Sequence, residues 1–180
     1  PEHEVFGVEL KSVNDNSTFL SDEFTFDCEQ SKEENAQIVR MTLNLSDNSS
    51  LVYIYKIYNT GNPSRDYLID FDIVEHNIAK HLAANESLKL TWRSRSNKNE
   101  RSYQNENMAT NIIYFEDGDI EEFDTSGEKE TLENISWIAY KQQYFTSAFI
   151  SSENLMAEAE FKNSTKQGAD FMKDFKSTIS

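Results

Sequence analysis

The feature that most constrains the fold is a hydrophobic pattern that repeats every second residue. From position 39 the odd positions carry Val39, Met41, Leu43 and Leu45, and the residues between them are polar. This alternation is typical of a strand with one buried face. The stretch "SDNSS" then supplies turn residues, and "LVYIYKIYN" resumes at Leu51 with apolar side chains on both faces. Together the two runs predict an antiparallel hairpin.

The same period continues after the turn-forming stretch "TGNPSRD". In "YLIDFDIVEH" the residues Tyr67, Ile69 and Phe71 lie on one face of the predicted strand. Asp70 and Asp72 lie on the other face. This run therefore predicts a third consecutive strand with one apolar and one acidic face.

Further strands are predicted in the middle of the chain. "SLKLTW" sets Leu88, Leu90 and Trp92 on one side. "NIIYFEDGDIEEF" predicts two strands, because Asp117 and Gly118 form a typical hairpin turn. We therefore expect a meander of antiparallel strands.

Helical signals are scarce. The segment Asn154–Phe161 fits a helix by residue type and a strand by period, so both assignments stay open. The better helical candidate is "GADFMKDFKS", in which Phe171, Met172 and Phe175 share one helical face. The polar stretch from 94 to 107 predicts a long exposed loop. The fold class is therefore predicted to be all-β, an antiparallel β-sandwich with little helix, forming one domain over residues 1–180.

Charge and composition limit the possible partners. The chain has 17 Lys and Arg against 32 Asp and Glu, which gives a net charge of -15. Such a chain repels phosphate backbones, so nucleic acid is not an expected partner. No stretch approaches the roughly 20 apolar residues that span a bilayer. Cys28 is the only cysteine, which excludes an internal disulfide and a thiolate zinc cluster.

No motif predicts catalysis. With five glycines the chain has no phosphate-binding loop, dinucleotide fingerprint or serine nucleophile elbow. Asp70 and Asp72 are spaced as a pair that could serve glycoside hydrolysis, although a solvent-facing pair is the commoner arrangement. His76 and His81 lack the spacing of metal ligands and are expected in a surface loop. We therefore predict no catalytic, cofactor-binding or metal-binding residue, and no enzymatic activity.

The stretch "WIAYKQQYFTSAFI" is the most distinctive run in the chain. Read as one strand, it has aromatic and polar side chains on both faces, which predicts a strand covered on both sides. It closely resembles the signature W-[IV]-A-x-x-Q-x-Y-F-x-[ST]-A of the large periplasmic domain of YidC-type membrane protein insertases, particularly the Bacteroidetes-like members. The matching residues are Trp137, Ala139, Gln142, Gln143, Tyr144, Phe145 and Ala148.

The resemblance extends over residues 37–150 and carries several expectations. It implies a β-supersandwich, similar in shape to the sugar mutarotases but without their catalytic residues, and a chain that is a piece of the domain, truncated at both ends. It also implies a location on the periplasmic side of the bacterial inner membrane, with tethering through segments absent here. The implied function is noncatalytic assistance to the insertion and folding of membrane proteins, as a binding or scaffolding surface. Nascent membrane proteins and accessory proteins of the Sec translocon are the implied partners.

One contact surface is also expected. Trp92, Arg93 and Arg95 lie beside the predicted polar loop, and exposed Trp and Arg are typical interface anchors. The alternative function is a secreted carbohydrate-binding or sugar-converting β-sandwich, in which aromatic side chains stack on sugar rings. A surface adhesion module is a third, weaker alternative.

Overall fold

The fold is known from a computed structural model. It describes residues 4–12, 14–15, 17–45, 48–81, 88–123, 129–152, 156–164 and 170–180. Strands account for 63% of the chain and helices for 8%, and the sheets are antiparallel. The predicted all-β sandwich class with little helix is therefore confirmed. No helix in these ranges is long and apolar enough to span a membrane.

The elements follow one another along the chain with short connections. The strands are β1 (Val5–Lys11), β2 (Thr18–Leu20), β3 (Asp27–Glu33), β4 (Ala36–Asn44), β5 (Ser50–Tyr58), β6 (Ile69–His76), β7 (Leu90–Asn97), β8 (Asn111–Glu116), β9 (Asp119–Phe123), β10 (Lys129–Lys141), β11 (Thr146–Ile150), β12 (Met156–Ser164) and β13 (Phe171–Ile179). The α-helix α1 spans Tyr103–Met108, and short 3-10 turns span Ser21–Glu23 and Ala79–His81.

The chain forms two compact units. Unit 1 comprises Pro1–Glu9 and Ser87–Ser180, and unit 2 comprises Leu10–Glu86. Each unit has its own sheet. The expectation of one domain over residues 1–180 stays a prediction.

The sheet of unit 2 has the strand order β3-β4-β5-β6, with each pair antiparallel. Met41 on β4 lies opposite Tyr53 on β5, and Tyr53 lies opposite Ile73 on β6. The predicted meander is therefore present, with the alternating apolar residues aligned on one face. Phe26 stacks on Tyr53 with ring centroids 5.2 Å apart, and the hydroxyls of Ser21 and Tyr53 are 2.6 Å apart. The segment before β3 therefore covers part of this face.

The sheet of unit 1 has the order β1-β7-β13-β12-β10-β8-β9. The long strand β10 pairs with β8 along one side. Along its other side, the first half of β10 pairs with β12 and the second half pairs with β11. A register shift in the β8 pairing lies between Ile135 and Trp137, and Asn134 has a positive φ of 60°. β10 is thus bent where it changes partners.

The core of unit 1 comes from one face of this sheet. The buried cluster consists of Ile112, Tyr114, Phe123, Ile135, Ile138, Tyr140, Met156, Ala159, Phe161, Phe175 and Ile179. Phe123 on β9 and Phe161 on β12 have ring centroids 6.2 Å apart although two strands separate them in the sheet order. In a flat sheet they would be about 14 Å apart. The sheet therefore curves around its own core.

The predicted C-terminal helix is wrong, because this segment is strand β13. Phe175, Ser177 and Ile179 are buried at every second position, as a strand requires. A register shift between Phe171 and Lys173 breaks the alternation in the first three residues and produced the helix-like spacing. β13 pairs with β7 on one side and β12 on the other, and this pairing outweighs weak local propensity. The ambiguous segment before it is also a strand, β12.

The predicted long polar loop is largely structured. β7 continues to Asn97, and α1 begins at Tyr103 after the N-cap Ser102. Glu106 is only 2% exposed, and its carboxylate accepts the backbone N–H groups of Asn99 and Glu100, both at 2.9 Å. One buried side chain therefore fixes the connection between β7 and α1.

Candidate functional site

The signature run forms a hairpin and not one continuous strand. β10 ends at Lys141 and β11 begins at Thr146. The N–H of Gln142 donates to the carbonyl of Phe145 at 2.8 Å and closes the turn. The four turn residues contain no Gly, Pro, Asn or Asp, so the usual turn signals were absent from the sequence.

The hairpin separates the signature residues into two groups. Trp137, Ala139 and Ala148 lie in the paired strands. Gln142, Gln143, Tyr144 and Phe145 form the turn. Tyr144 is 60% exposed and Phe145 is 70% exposed, which is unusual for large aromatic side chains and typical of a contact surface.

A shallow groove lies on the outer face of the sheet beside this turn. Its volume is about 380 Å³, and it is lined by Ile113, Trp137, Ala139, Lys141, Thr146, Ala148 and Ile150. These residues come from β8, β10 and β11. Three signature residues therefore line one apolar depression.

The register explains why this surface is concave. Ala139 pairs directly with Ala148, and the next pairs are Trp137 with Ile150 and Lys141 with Thr146. Two methyl side chains thus form the floor between larger side chains at both ends. Ile113 lies opposite Ala139 on the β8 side and continues the apolar row.

The groove is apolar with a charged end. Trp137 stacks against Phe115 with ring centroids 6.1 Å apart and an interplanar angle of 18°, which supports one wall. Lys141 is the charged residue in the lining. At the nearby turn, the hydroxyl of Tyr144 donates to Glu100 at 2.5 Å, and this hydrogen bond raises the pKa of Tyr144.

The layer beneath the groove is tightly packed. Ile138 and Tyr140 point from β10 into the core, where they are 0% and 1% exposed. The Tyr140 ring stacks on Trp92 at 3.8 Å and on Phe175 at 4.9 Å. Its hydroxyl donates to the Trp92 carbonyl at 2.8 Å and lies 2.9 Å from the Oγ of Ser177. Burial raises the pKa of Tyr140. The groove floor therefore rests on a fixed aromatic stack.

The expected contact surface on β7 is largely engaged within unit 1. Trp92 is half-buried against Tyr140. Arg95 forms two bonds to Asp174, at 2.6 and 2.8 Å, and lies 4.1 Å from the Phe171 ring centroid. The pairing with Asp174 raises the pKa of Arg95. Arg93 is half-buried on the same strand. The use of these residues as a contact surface stays a prediction.

The acidic pair and the histidines lie in unit 2. Asp70 and Asp72 share a face of β6, and Asp70 accepts a hydrogen bond from the Tyr58 hydroxyl. His76 is exposed as expected, but His81 is buried at 4% exposure, with Nδ1 3.1 Å from the Lys11 carbonyl, so its predicted surface setting is wrong. Within the described ranges, no cluster of three or more His, Cys, Asp or Glu side chains could hold a metal ion.

Comparison with known proteins identifies the family. The family model described as the YidC periplasmic domain matches residues 4–179, which is nearly the whole chain. The chain belongs to the YidC periplasmic domain family. A domain of this family lies on the periplasmic side of the inner membrane.

Curated relatives agree with this assignment. A protein of Bacteroides fragilis named membrane protein insertase YidC is 31% identical over 144 residues, which cover 78% of this chain and 23% of the relative. Proteins of the same name from Azobacteroides pseudotrichonymphae and Parabacteroides distasonis are each 28% identical, cover 78% and 79% of this chain, and are each covered to 22%. The chain thus spans less than a quarter of these relatives and is a fragment relative to them. No solved structure matches it.

The groove contains residues that sequence reasoning missed. Ile113 and Ile150 line it, yet neither belongs to the recognised signature. Ile113 follows a buried Ile112 in an apolar run, which hides the fact that the two side chains point to opposite faces. The hairpin alone places Ile150 beside Trp137, so its position required knowledge of the turn.

Proposed function

We propose that this domain is a noncatalytic binding surface of a membrane protein insertase, and that the groove holds apolar segments of membrane proteins during insertion and folding. The observation that carries the proposal is the apolar groove next to two exposed aromatic side chains, Tyr144 and Phe145. The relatives are named for the insertion of membrane proteins, whose segments are apolar by necessity.

The size of the groove supports weak and reversible binding. A volume of about 380 Å³ accommodates a few apolar side chains. Burying one such side chain contributes about 1.5–3 kcal/mol, and the entropy lost on association offsets part of this gain. An affinity in the micromolar range, on the order of -8 kcal/mol, is therefore expected. Weak binding suits a surface that must release its client.

The proposed partners follow the same chemistry. Nascent membrane proteins supply extended apolar segments, and we include the accessory proteins of the Sec translocon as neighbours of the insertase. The noncatalytic role is supported by Asp70, which is tied to Tyr58, and by the absence of any catalytic motif in the sequence. The groove itself presents methyl, aromatic and aliphatic groups in place of acid–base pairs.

A charge placed on the groove floor tests the proposal. The probe is an uncharged peptide with leucines at alternate positions and serines between them, carrying a fluorophore, and binding is measured by fluorescence anisotropy. Ala148→Glu puts a carboxylate on the floor, and we expect the affinity to fall at least about tenfold, because the bound peptide would desolvate the charge.

The matched control is Ser147→Glu. Ser147 is also exposed and adjoins Ala148, but its side chain points to the opposite face of β11. This variant has the same net charge and should bind the peptide within about twofold of the unmodified chain. Equal loss of affinity in both variants, or unchanged affinity in Ala148→Glu, would show that the groove is not the binding site.

A further inference from the structure

The strand β6 is the outer strand of the unit 2 sheet. The sheet order is β3-β4-β5-β6, and within the described residues no element pairs with the outer side of β6. The backbone groups that point outward from β6 are therefore open to a further strand.

The two edges of this sheet differ in chemistry. β3, at the opposite edge, reads DCEQSKE, has both charge signs and is exposed at every residue. β6 reads IDFDIVEH, and its first five residues alternate between apolar side chains and aspartates. Mixed charges discourage strand addition, whereas a row of apolar residues beside a row of like charges favours one kind of partner.

The apolar side of β6 is only partly covered. Phe71 packs against Tyr53 and Tyr55, with ring centroids 5.4 and 4.9 Å apart. Ile69 is 57% exposed, and Tyr67 just before it is 89% exposed. Exposed apolar area at the start of an open edge strand provides contact surface for side chains of an added strand.

The other side of β6 is acidic. Asp70 lies opposite Lys56 and accepts a bond from Tyr58. Asp72 lies opposite Ile54, is exposed, and has no ion-pair partner among the residues that the structure describes. The charge of Asp72 is therefore available to a cation on a neighbouring strand.

We propose that β6 binds an extended polypeptide segment as an added strand, with basic side chains on the Asp70 and Asp72 face and apolar side chains on the Ile69 and Phe71 face. Main-chain hydrogen bonds would hold the segment and the two rows would select it. A second copy of this chain fits poorly, because β6 paired with itself brings aspartates together, and the net charge of -15 adds repulsion. This site is separate from the groove of unit 1.

Peptide binding tests charge and pattern. The probe is a fluorescent peptide of 8 residues, the length of β6, in which Lys and Val alternate. One control peptide has the same composition with Lys and Val in two blocks, and the other alternates Glu and Val. We expect the Lys–Val alternating peptide alone to bind and to slow amide hydrogen exchange in β6. Equal binding of the block peptide, or protection elsewhere but not in β6, overturns the proposal.

Backbone methylation tests strand addition directly. In an added strand, alternate N–H groups point toward β6 and away from it. Of two peptides N-methylated at all Lys or at all Val positions, one should lose binding and the other should keep it. Identical affinities for the two overturn strand addition. The unmodified chain serves for this comparison, so no variant needs to fold.

Two charge variants test the acidic row. Asp72→Lys should weaken binding of the Lys–Val peptide about three- to tenfold, since it replaces an attractive cross-strand pair by a repulsive one. Glu29→Lys makes the same charge change on the exposed β3 edge and should leave the affinity within about twofold. Equal weakening by both variants would show that only net charge matters and would overturn the proposal.

Discussion

The buried hydroxyl of Tyr140 gives a prediction with a calculable pH dependence. Tyr140→Phe removes one oxygen, which donates to the Trp92 carbonyl at 2.8 Å and lies 2.9 Å from Ser177 Oγ. The ring and its stacking on Trp92 remain. Loss of a buried hydrogen bond with its partners left in place costs about 1–3 kcal/mol. We expect unit 1 to unfold at lower urea concentration by this amount near pH 7.

The destabilisation should shrink in alkali. Burial raises the pKa of Tyr140 above its ordinary value of 10.0 in the folded state. The folded chain then keeps the proton while the unfolded chain loses it. The stability from this group is therefore fully present below about pH 10 and is lost as pH rises toward the folded pKa. At about pH 11 the wild-type advantage over Tyr140→Phe should be about 1.4 kcal/mol smaller than at neutral pH.

The two tryptophans of the chain, Trp92 and Trp137, both lie in unit 1, so their fluorescence reports its unfolding. Urea titrations at several pH values give the free-energy difference directly. Other groups that titrate in alkali, including Tyr114 with a pKa raised to about 12 by burial, occur in both proteins and cancel. Tyr103→Phe, on exposed α1, should change stability by less than about 0.5 kcal/mol at every pH. A difference between wild type and Tyr140→Phe that stayed constant with pH would refute the reasoning.

Three further predictions concern unit 1, each measured by urea unfolding. Phe161→Ala should cost about 3–5 kcal/mol, because the ring is 0% exposed, whereas Phe145→Ala on the exposed turn should cost less than about 0.5 kcal/mol; similar costs would contradict the assigned burial. Gly118→Ala should cost about 1 kcal/mol through its φ of 100° alone, since a Cβ there meets no atom within 4 Å, and a much larger loss would contradict this. Glu106→Gln should cost about 1–3 kcal/mol and speed hydrogen exchange of the two loop amides that it accepts; unchanged exchange would argue against that role.

The hairpins of unit 2 were predictable because their signals are local. The alternation around Met41 and Tyr53 sets both the strands and the face that points inward, and the structure pairs these two residues directly. The turn at Asp117 and Gly118 was equally readable, since both residues have positive φ values of 50° and 100°. Period and turn chemistry act over a few residues, so sequence alone reveals them.

Strand β13 was not predictable for a physical reason. Its partner β7 lies far away in sequence, and Ser177 pairs with Trp92 across 85 residues. Without that pairing, Phe171, Met172 and Phe175 fit a helix better than a strand. The same applies to Lys173, which is 3% exposed and donates to Asn111, because a lysine is rarely expected inside a core.

The candidate site was found in part. The signature run drew attention to Trp137, Ala139 and Ala148, but reading it as one strand concealed the turn. A single continuous strand would separate Ala139 from Ala148, whereas the hairpin pairs them and forms the groove floor. The chemistry of the residues was therefore readable, and their proximity depended on a turn without turn-forming residues.

The position of β13 between β7 and β12 has a consequence for the order of events during synthesis. A chain emerges from its N-terminal end, so β7 is available long before β13. Until β13 arrives, β7 lacks one neighbour and β12 lacks another, and each presents an unpaired strand edge. Pairings over such long sequence separations also form slowly. The nascent domain therefore passes through a period with two open edges, during which a chaperone that shields strands would have the most to protect.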